Sequence, residues 1–242
     1  MKAGYVKDRG DRSLERAGRC IGVGLARRGD HVALLARRRE RDEASCRSTL
    51  AAAADALGGI DNLVYAPAIS PLVRLAETDA DTWRRVFDTN VIGASLATAA
   101  ALPHLRAAAG KAVYLSSDAG SHAPPWPGLG AYGVSKAALE RLVEAWRAEH
   151  PEIGFTCVVV GECAGGEGDA QTGTNIGWDR ELAMKAYLLW LARGCMPGKL
   201  MPVEDLVNIV HTILRTDAAT SIPVVIARGA SAPAGVLDAG QS

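Results

Sequence analysis

The sequence predicts an α/β fold: a doubly wound parallel sheet in a single domain. Three observations carry this. Short apolar runs of strand length alternate with longer helix-like stretches. Several runs are apolar throughout, as strands buried on both faces are. The 242 residues, 48% hydrophobic and 22% charged with no net formal charge, suit one large core.

The elements follow in order. Residues 1–17 are polar, hold Gly4 and Gly10, and contain no run of strand length. Residues 19–28 read as a helix ending at Gly29, a natural left-handed cap. His31 to Ala36 reads as a buried strand. Residues 47–57 read as a helix stopped by Gly58-Gly59, and Ile60 to Ala66 as the next strand. Residues 80–108 read as a long helix capped by Asp79 or Asp81. Residues 111–116 form a strand, and 120–130, with three prolines, a loop. In 131–149, Leu139, Leu142, Val143 and Trp146 recur at helical spacing. Phe155–Val160 is a strand, and 161–177 is glycine-rich and irregular. Helices at 178–193 and 202–215 precede a last strand, Ile222–Ala227. The tail from Gly229 is small and polar.

Composition excludes several classes. No stretch nears the ~20 apolar residues of a membrane helix, and the N-terminus has no apolar leader segment. Five cysteines, an odd number with no C-x-x-C, suit reduced thiols better than a disulfide frame or zinc site. Residues 1–43 hold 12 Lys+Arg against 7 Asp+Glu. That lobe suits either a phosphate-bearing ligand or plain solvent. No nucleic-acid-binding signature accompanies it. The five histidines share no metal spacing.

Tyr132 and Lys136 stand four apart at the start of a helix, hence on one face. A phenol near pKa ~10 beside an ammonium is favoured as phenolate, and such a tyrosine can pass protons. Ser117 ends the preceding strand, on the ligand side of a parallel sheet. Its hydroxyl could bond the oxygen that Tyr132 protonates. Asn90, in Asp88-Thr-Asn-Val-Ile-Gly93, could anchor a water linking Lys136 to solvent. Trp126 and Trp178 flank the cleft, while Trp83, Trp146 and Trp190 read as core or interface. Gly133-Val-Ser-Lys-Ala137 nearly spells a hydrolase elbow around Ser135. It lacks the last glycine and opens a helix after a loop, not after a strand.

With these residues in view, the chain resembles the short-chain dehydrogenase/reductase family from about Gly18 to Ala227. Pro127-Gly-Leu-Gly-Ala-Tyr-Gly-Val-Ser-Lys136 is nearly its consensus, and Leu63-Val-Tyr-Ala-Pro-Ala-Ile69 stands where Leu-Val-Asn-Asn-Ala-Gly-Ile is usual. The resemblance implies a Rossmann-like sheet and hydride transfer between a nicotinamide and a carbonyl or alcohol. Tyr132 would be general acid/base, and Lys136 would tune it and hold the nicotinamide ribose. Ser117 would orient the carbonyl, and Asn90 would support the proton relay. It further implies a homo-oligomer associating through helices 80–108 and 131–149; the reduced thiols and the composition point to a cytoplasmic protein without nucleic acid or membrane partners.

The nucleotide end departs from the family. Its Gly-x-x-x-Gly-x-Gly turn would fall on Asp11 to Gly18, where only Gly18 survives and Arg12 and Arg16 replace glycines. A rival register over Gly18, Gly22 and Gly24 leaves too short a helix before Gly29. About twenty residues are absent between Arg38 and Leu63. The sheet is therefore expected to lack or alter its first strand and one further strand. Residues 161–200 are expected to form the substrate lid, with Glu162, Glu167 and Asp169 giving it an acidic cover. The expected cofactor-binding residues are Gly18, Arg37, Arg38, Ala66, Asn90, Tyr132 and Lys136. The family's ribose-binding acid would fall at Ala36; Arg37 follows it, and Arg38 and Arg39 add positive charge, which favours NADP(H) over NAD(H). The alternative is a non-catalytic or cofactor-impaired relative acting as a binding or scaffold protein. A serine hydrolase at Ser135 is a third, weaker reading.

Overall fold

The computed structural model describes residues 17–34, 43–165, 178–195 and 199–230. Helix α1 (Ala17–Arg27) ends as its sequence demands. Gly29 has φ +91°. Its N–H reaches the Ala26 carbonyl at 3.0 Å, and the Asp30 N–H reaches Leu25 at 3.2 Å. This double closure satisfies the last carbonyls of the helix. Helix α2 (Glu43–Leu57) stops at Gly58, φ +76°. Strand β1 (Asn62–Tyr65) follows.

Helix α3 (Ala80–Phe87) is capped by Asp79, whose carboxylate accepts from the Thr82 N–H at 2.7 Å. It runs through one π-helical turn, Asp88–Ile92, into α4 (Gly93–Ala108). Strand β2 (Lys111–Ser117) leads into the short helix α5 (Asp118–Ser121). Helix α6 (Gly130–Glu149) and strand β3 (Gly154–Val160) come next. Strand β4 (Cys163–Ala164) precedes α7 (Arg180–Ala192). The last elements are β5 (Met201–Pro202), α8 (Val203–Arg215) and β6 (Val224–Ala227).

The main sheet is parallel, in the order β1-β2-β3-β6. Alternation along β2 splits the core. Ala112 and Tyr114 face Leu105, Leu139, Val143 and Phe155, under α4 and α6. Val113 and Leu115 face Ile21, Leu25, Leu206 and Val210, under α1 and α8. Each of these aliphatic side chains contributes about 1.5–3 kcal/mol on burial. All four strands run parallel, so the segment leaving each one starts at the carboxyl edge of the sheet, where such folds bind ligands.

Four expectations need correction. His31–Leu34 form no strand; residues 35–36 lie outside the described residues. Leu34 instead packs on α1, so closely that a Cβ on Gly22 would fall 2.3 Å from its Cδ2. The long helix 80–108 is one column, but with a π turn inside it. The start of the 120–130 loop is helical, because Ser117 caps α5 through the Ala119 N–H at 3.3 Å. Residues 163–164, expected to be irregular, pair in parallel with 201–202. Residues 1–16, where the family's first strand is expected to be lacking or altered, Arg37 and Arg38, and Glu167 and Asp169 lie outside the described residues, as do the tail from 231 and residues 166–177.

Candidate active site

Ser117, Asn90 and the Tyr132–Lys136 face all come from the carboxyl side of the sheet or the helices behind it. Ser117 is the last residue of β2, paired with Val160 of β3. The α5 turn that follows it presses onto the first turns of α6. A Cβ on Gly133 would lie 2.7 Å from the Ala119 carbonyl, and one on Gly120 would lie 3.1 Å from the Ala137 nitrogen. Two glycines thus let the Ser117 segment meet the helix that carries Tyr132.

Lys136 is 2% exposed. Its Nζ donates to the Leu115 carbonyl at 2.6 Å and lies 5.7 Å from the centroid of the Tyr132 ring. That distance is within reach of a favourable cation–π contact. Burial pulls the ammonium down to about 8, opposed by Cys157 and Glu140.

Asn90 is fully buried on the π turn. Its carboxamide accepts from the Ile69 N–H at 2.9 Å and donates to the Ile69 carbonyl at 3.0 Å and to Ser135 Oγ at 2.9 Å. It therefore straps the segment after β1 to α6. All three side-chain bonds go to Ile69 and Ser135, and none goes to Lys136. Ser135 is buried and donates to the Tyr132 carbonyl at 2.7 Å, so its hydroxyl serves the helix, not a nucleophile's role.

Tyr132 is 6% exposed and belongs to a cluster with Ala119, Leu129, Trp126 and Trp190, against which Trp178 and Leu72 pack. The ring centroids of Trp126 and Trp190 lie 5.1 Å apart, those of Trp178 and Trp190 5.9 Å. Trp190, read from sequence as core or interface, joins the two indoles assigned to the cleft. Only the fold shows which cluster it enters.

Tyr65, Ser116 and Asp118 escaped the sequence reading. Tyr65 stands where the family has asparagine, and its hydroxyl donates to the Thr89 carbonyl at 2.7 Å. Gly93 makes room for it: a Cβ there would sit 2.6 Å from that oxygen. Ser116 donates to Glu140 at 2.7 Å. Asp118, beside Ser117, is held above the usual carboxylate range by burial, opposed by Arg228. Burial also raises Glu162, and the Asp118 charge adds to the effect.

The nucleotide end fits in part. Gly18, the second residue of α1, packs on Ala66 just past β1; a Cβ on it would meet the Ala66 Cβ at 2.9 Å. Close helix–strand packing of this kind is the work of the last glycine in a dinucleotide-binding turn. It also leaves the first N–H groups of α1 at the carboxyl edge of the sheet, where anions bind. Gly22 and Gly24, the rival pair, lie inside α1 under Leu34 and Val207.

The short chain dehydrogenase profile matches residues 26–176. The chain belongs to this family. The glycine betaine reductase of Emericella nidulans is 33% identical over 167 residues, 59% of this chain and 13% of that one. An 11-beta-hydroxysteroid dehydrogenase A of Arachis hypogaea is 33% identical over 174 residues, 69% and 46% of the two chains. The matched stretches thus cover less than half of either relative. Among solved structures, an alcohol dehydrogenase from Thermococcus sibiricus complexed with 5-hydroxy-NADP aligns with TM-score 0.67 at 17% identity, over 88% of this chain and 91% of that one. A short chain dehydrogenase from Mycobacterium paratuberculosis bound to NAD aligns with TM-score 0.69 at 20% identity, over 86% and 77%. At such identities the likeness concerns the fold, which is Rossmann-like. No helix among the described residues is long and apolar enough to cross a membrane.

Proposed function

We propose that this short-chain dehydrogenase is an oxidoreductase interconverting a ketone and an alcohol, with NADP(H) as the preferred cofactor. The observation that carries the reading is the Tyr132–Lys136 pair, with Nζ 5.7 Å from the ring. Tyr132 gives its phenolic proton to the carbonyl oxygen during reduction and takes it back during oxidation. The Lys136 ammonium favours the phenolate left behind. Ser117 orients the carbonyl from the end of β2. Asn90 positions the segment after β1 against α6 through its bonds to Ile69 and Ser135.

Gly18, Ala66, Asn90, Tyr132 and Lys136 would hold the dinucleotide, with Arg37 and Arg38 favouring a 2′-phosphate. When bound, the cofactor supplies or accepts the hydride at the carbonyl carbon. The same reading makes the protein a cytoplasmic, self-associating enzyme. The test is a thermal melt with each nicotinamide. NADPH raises the melting temperature more than NADH does; a curve unmoved by either at millimolar concentration contradicts the reading.

A further inference from the structure

Helix α7 has two apolar faces, and the fold covers one of them. Ala186 and Trp190 are buried, and the Trp190 indole donates to the Pro127 carbonyl at 2.9 Å. Met184, Tyr187, Leu188 and Leu191 recur at i, i+3, i+4 and i+7 and remain 57%, 43%, 58% and 47% exposed. That spacing sets them on one stripe about 100° wide, turned away from Ala186 and Trp190. The helix carrying it is well closed at its start, where Asp179 accepts from the Leu182 N–H at 2.8 Å. A helix that is apolar on both sides belongs between two layers, and a contiguous exposed apolar patch marks an interaction site.

We propose that this stripe docks a second copy of the same chain, α7 against α7, antiparallel about a two-fold axis. The neighbouring sequence is too polar to cover it. Residues 166–177 and 196–198, on either side of the helix, hold only Ile176 and Met196 as large apolar side chains. A lipid surface suits it poorly, because helices lying on anionic lipid are rich in basic residues. Here Lys185 is already paired with Glu181 at 2.6 Å. A second copy fits in area. Each of the four side chains leaves on the order of 100 Å² exposed, and with the Glu181, Lys185 and Ala192 rim two copies bury roughly 1,000 Å², the low end of specific interfaces. It also fits in pattern. About an axis between Tyr187 and Leu188, Met184 meets Leu191 of the partner subunit, so the stripe is its own complement. The antiparallel direction sets Arg180 beside the negative C-terminal end of the partner helix.

The test is sedimentation velocity of the whole chain over a micromolar concentration series. It compares wild type, Leu188→Glu, Leu188→Lys and an equal mixture of the two variants, with helix content checked by circular dichroism. Leu188 is exposed, so neither variant loses core packing; Tyr187→Glu and Tyr187→Lys repeat the comparison should either lose helix. Wild type associates. Each variant alone carries half as many chains per particle, or dissociates at a Kd at least about tenfold higher, because like charges meet at the axis. The mixture regains the wild-type mass, because opposite charges then face each other. A wild type that stays monomeric overturns the inference, and one that also sediments with phosphatidylcholine–phosphatidylglycerol vesicles assigns the stripe to lipid instead. Variants that sediment as wild type does overturn it as well. So does a mixture no heavier than its components, since α7 then does not face α7.

Discussion

Lys136 holds its ammonium 5.7 Å from the centre of the Tyr132 ring while donating to the Leu115 carbonyl of the neighbouring strand at 2.6 Å. Both residues ride on α6, and the lysine's ammonium is tied across to β2. Anything that moves the strand against the helix changes the pair.

The first prediction concerns pH. Lys136 is pulled down from 10.5 to about 8 by burial. Between these values the unfolded chain binds the extra proton, so stability rises as pH climbs from about 8 to 10.5. Below about 8 the buried charge is present in full, at a cost of roughly 3 kcal/mol. Lys136→Met removes this rise. Chemical denaturation of both proteins across that window measures it. For wild-type turnover, the rate of ketone reduction declines above about pH 8, as the ammonium is lost.

Gly133 is the second. A methyl group there would sit 2.7 Å from the Ala119 carbonyl, a backbone atom with no flexible end to yield. Gly133→Ala parts α5 from α6 and draws Ser117 away from Tyr132. Stability falls by about 1–3 kcal/mol, and turnover falls roughly a hundredfold through lost alignment. Melting curves and steady-state rates test both.

The Asp118–Glu162 pair gives the third. Asp118 charge is one cause of the raised Glu162 carboxyl, after burial. Asp118→Asn therefore lets Glu162 ionise at lower pH. Both carboxyls are raised in the folded state, so each favours folding at low pH and loses that contribution as pH rises through its folded value. Carboxyl carbon shifts followed by NMR titration report the Glu162 change directly.

The fourth concerns the core. Tyr114 is fully buried, and its hydroxyl and that of Thr98 lie 2.6 Å apart. Burial raises the phenol well above its usual value, so it stays neutral. Thr98→Val strands that hydroxyl and destabilises the protein by about 1–3 kcal/mol, measured by denaturant midpoint.

Much of this was legible in the residues. Apolar strand runs and glycine stops placed β1, β2, β3, β6 and most helices to within a few positions, because local chemistry decides them. Gly29 and Asp79 act as their types require. The run His31–Leu34 misled, since an apolar stretch can pack on a helix as well as in a sheet, and Leu34 covers Gly22. Asn90 was found by motif, but its actual bonds, to Ile69 and Ser135, depend on the π turn and the α6 contact. Spacing could not show either. Tyr65, Asp118 and Glu162 acquire meaning only through distant partners, which periodicity does not encode.

The most direct measurement follows NADPH consumption with a broad panel of aliphatic, cyclic and aromatic ketones for wild type and Tyr132→Phe, with folding of both checked by circular dichroism. The account predicts turnover in the wild type, and a loss of at least about a hundredfold in a folded Tyr132→Phe protein. A folded variant that consumes NADPH as fast as the wild type, or a wild type that consumes none, contradicts it.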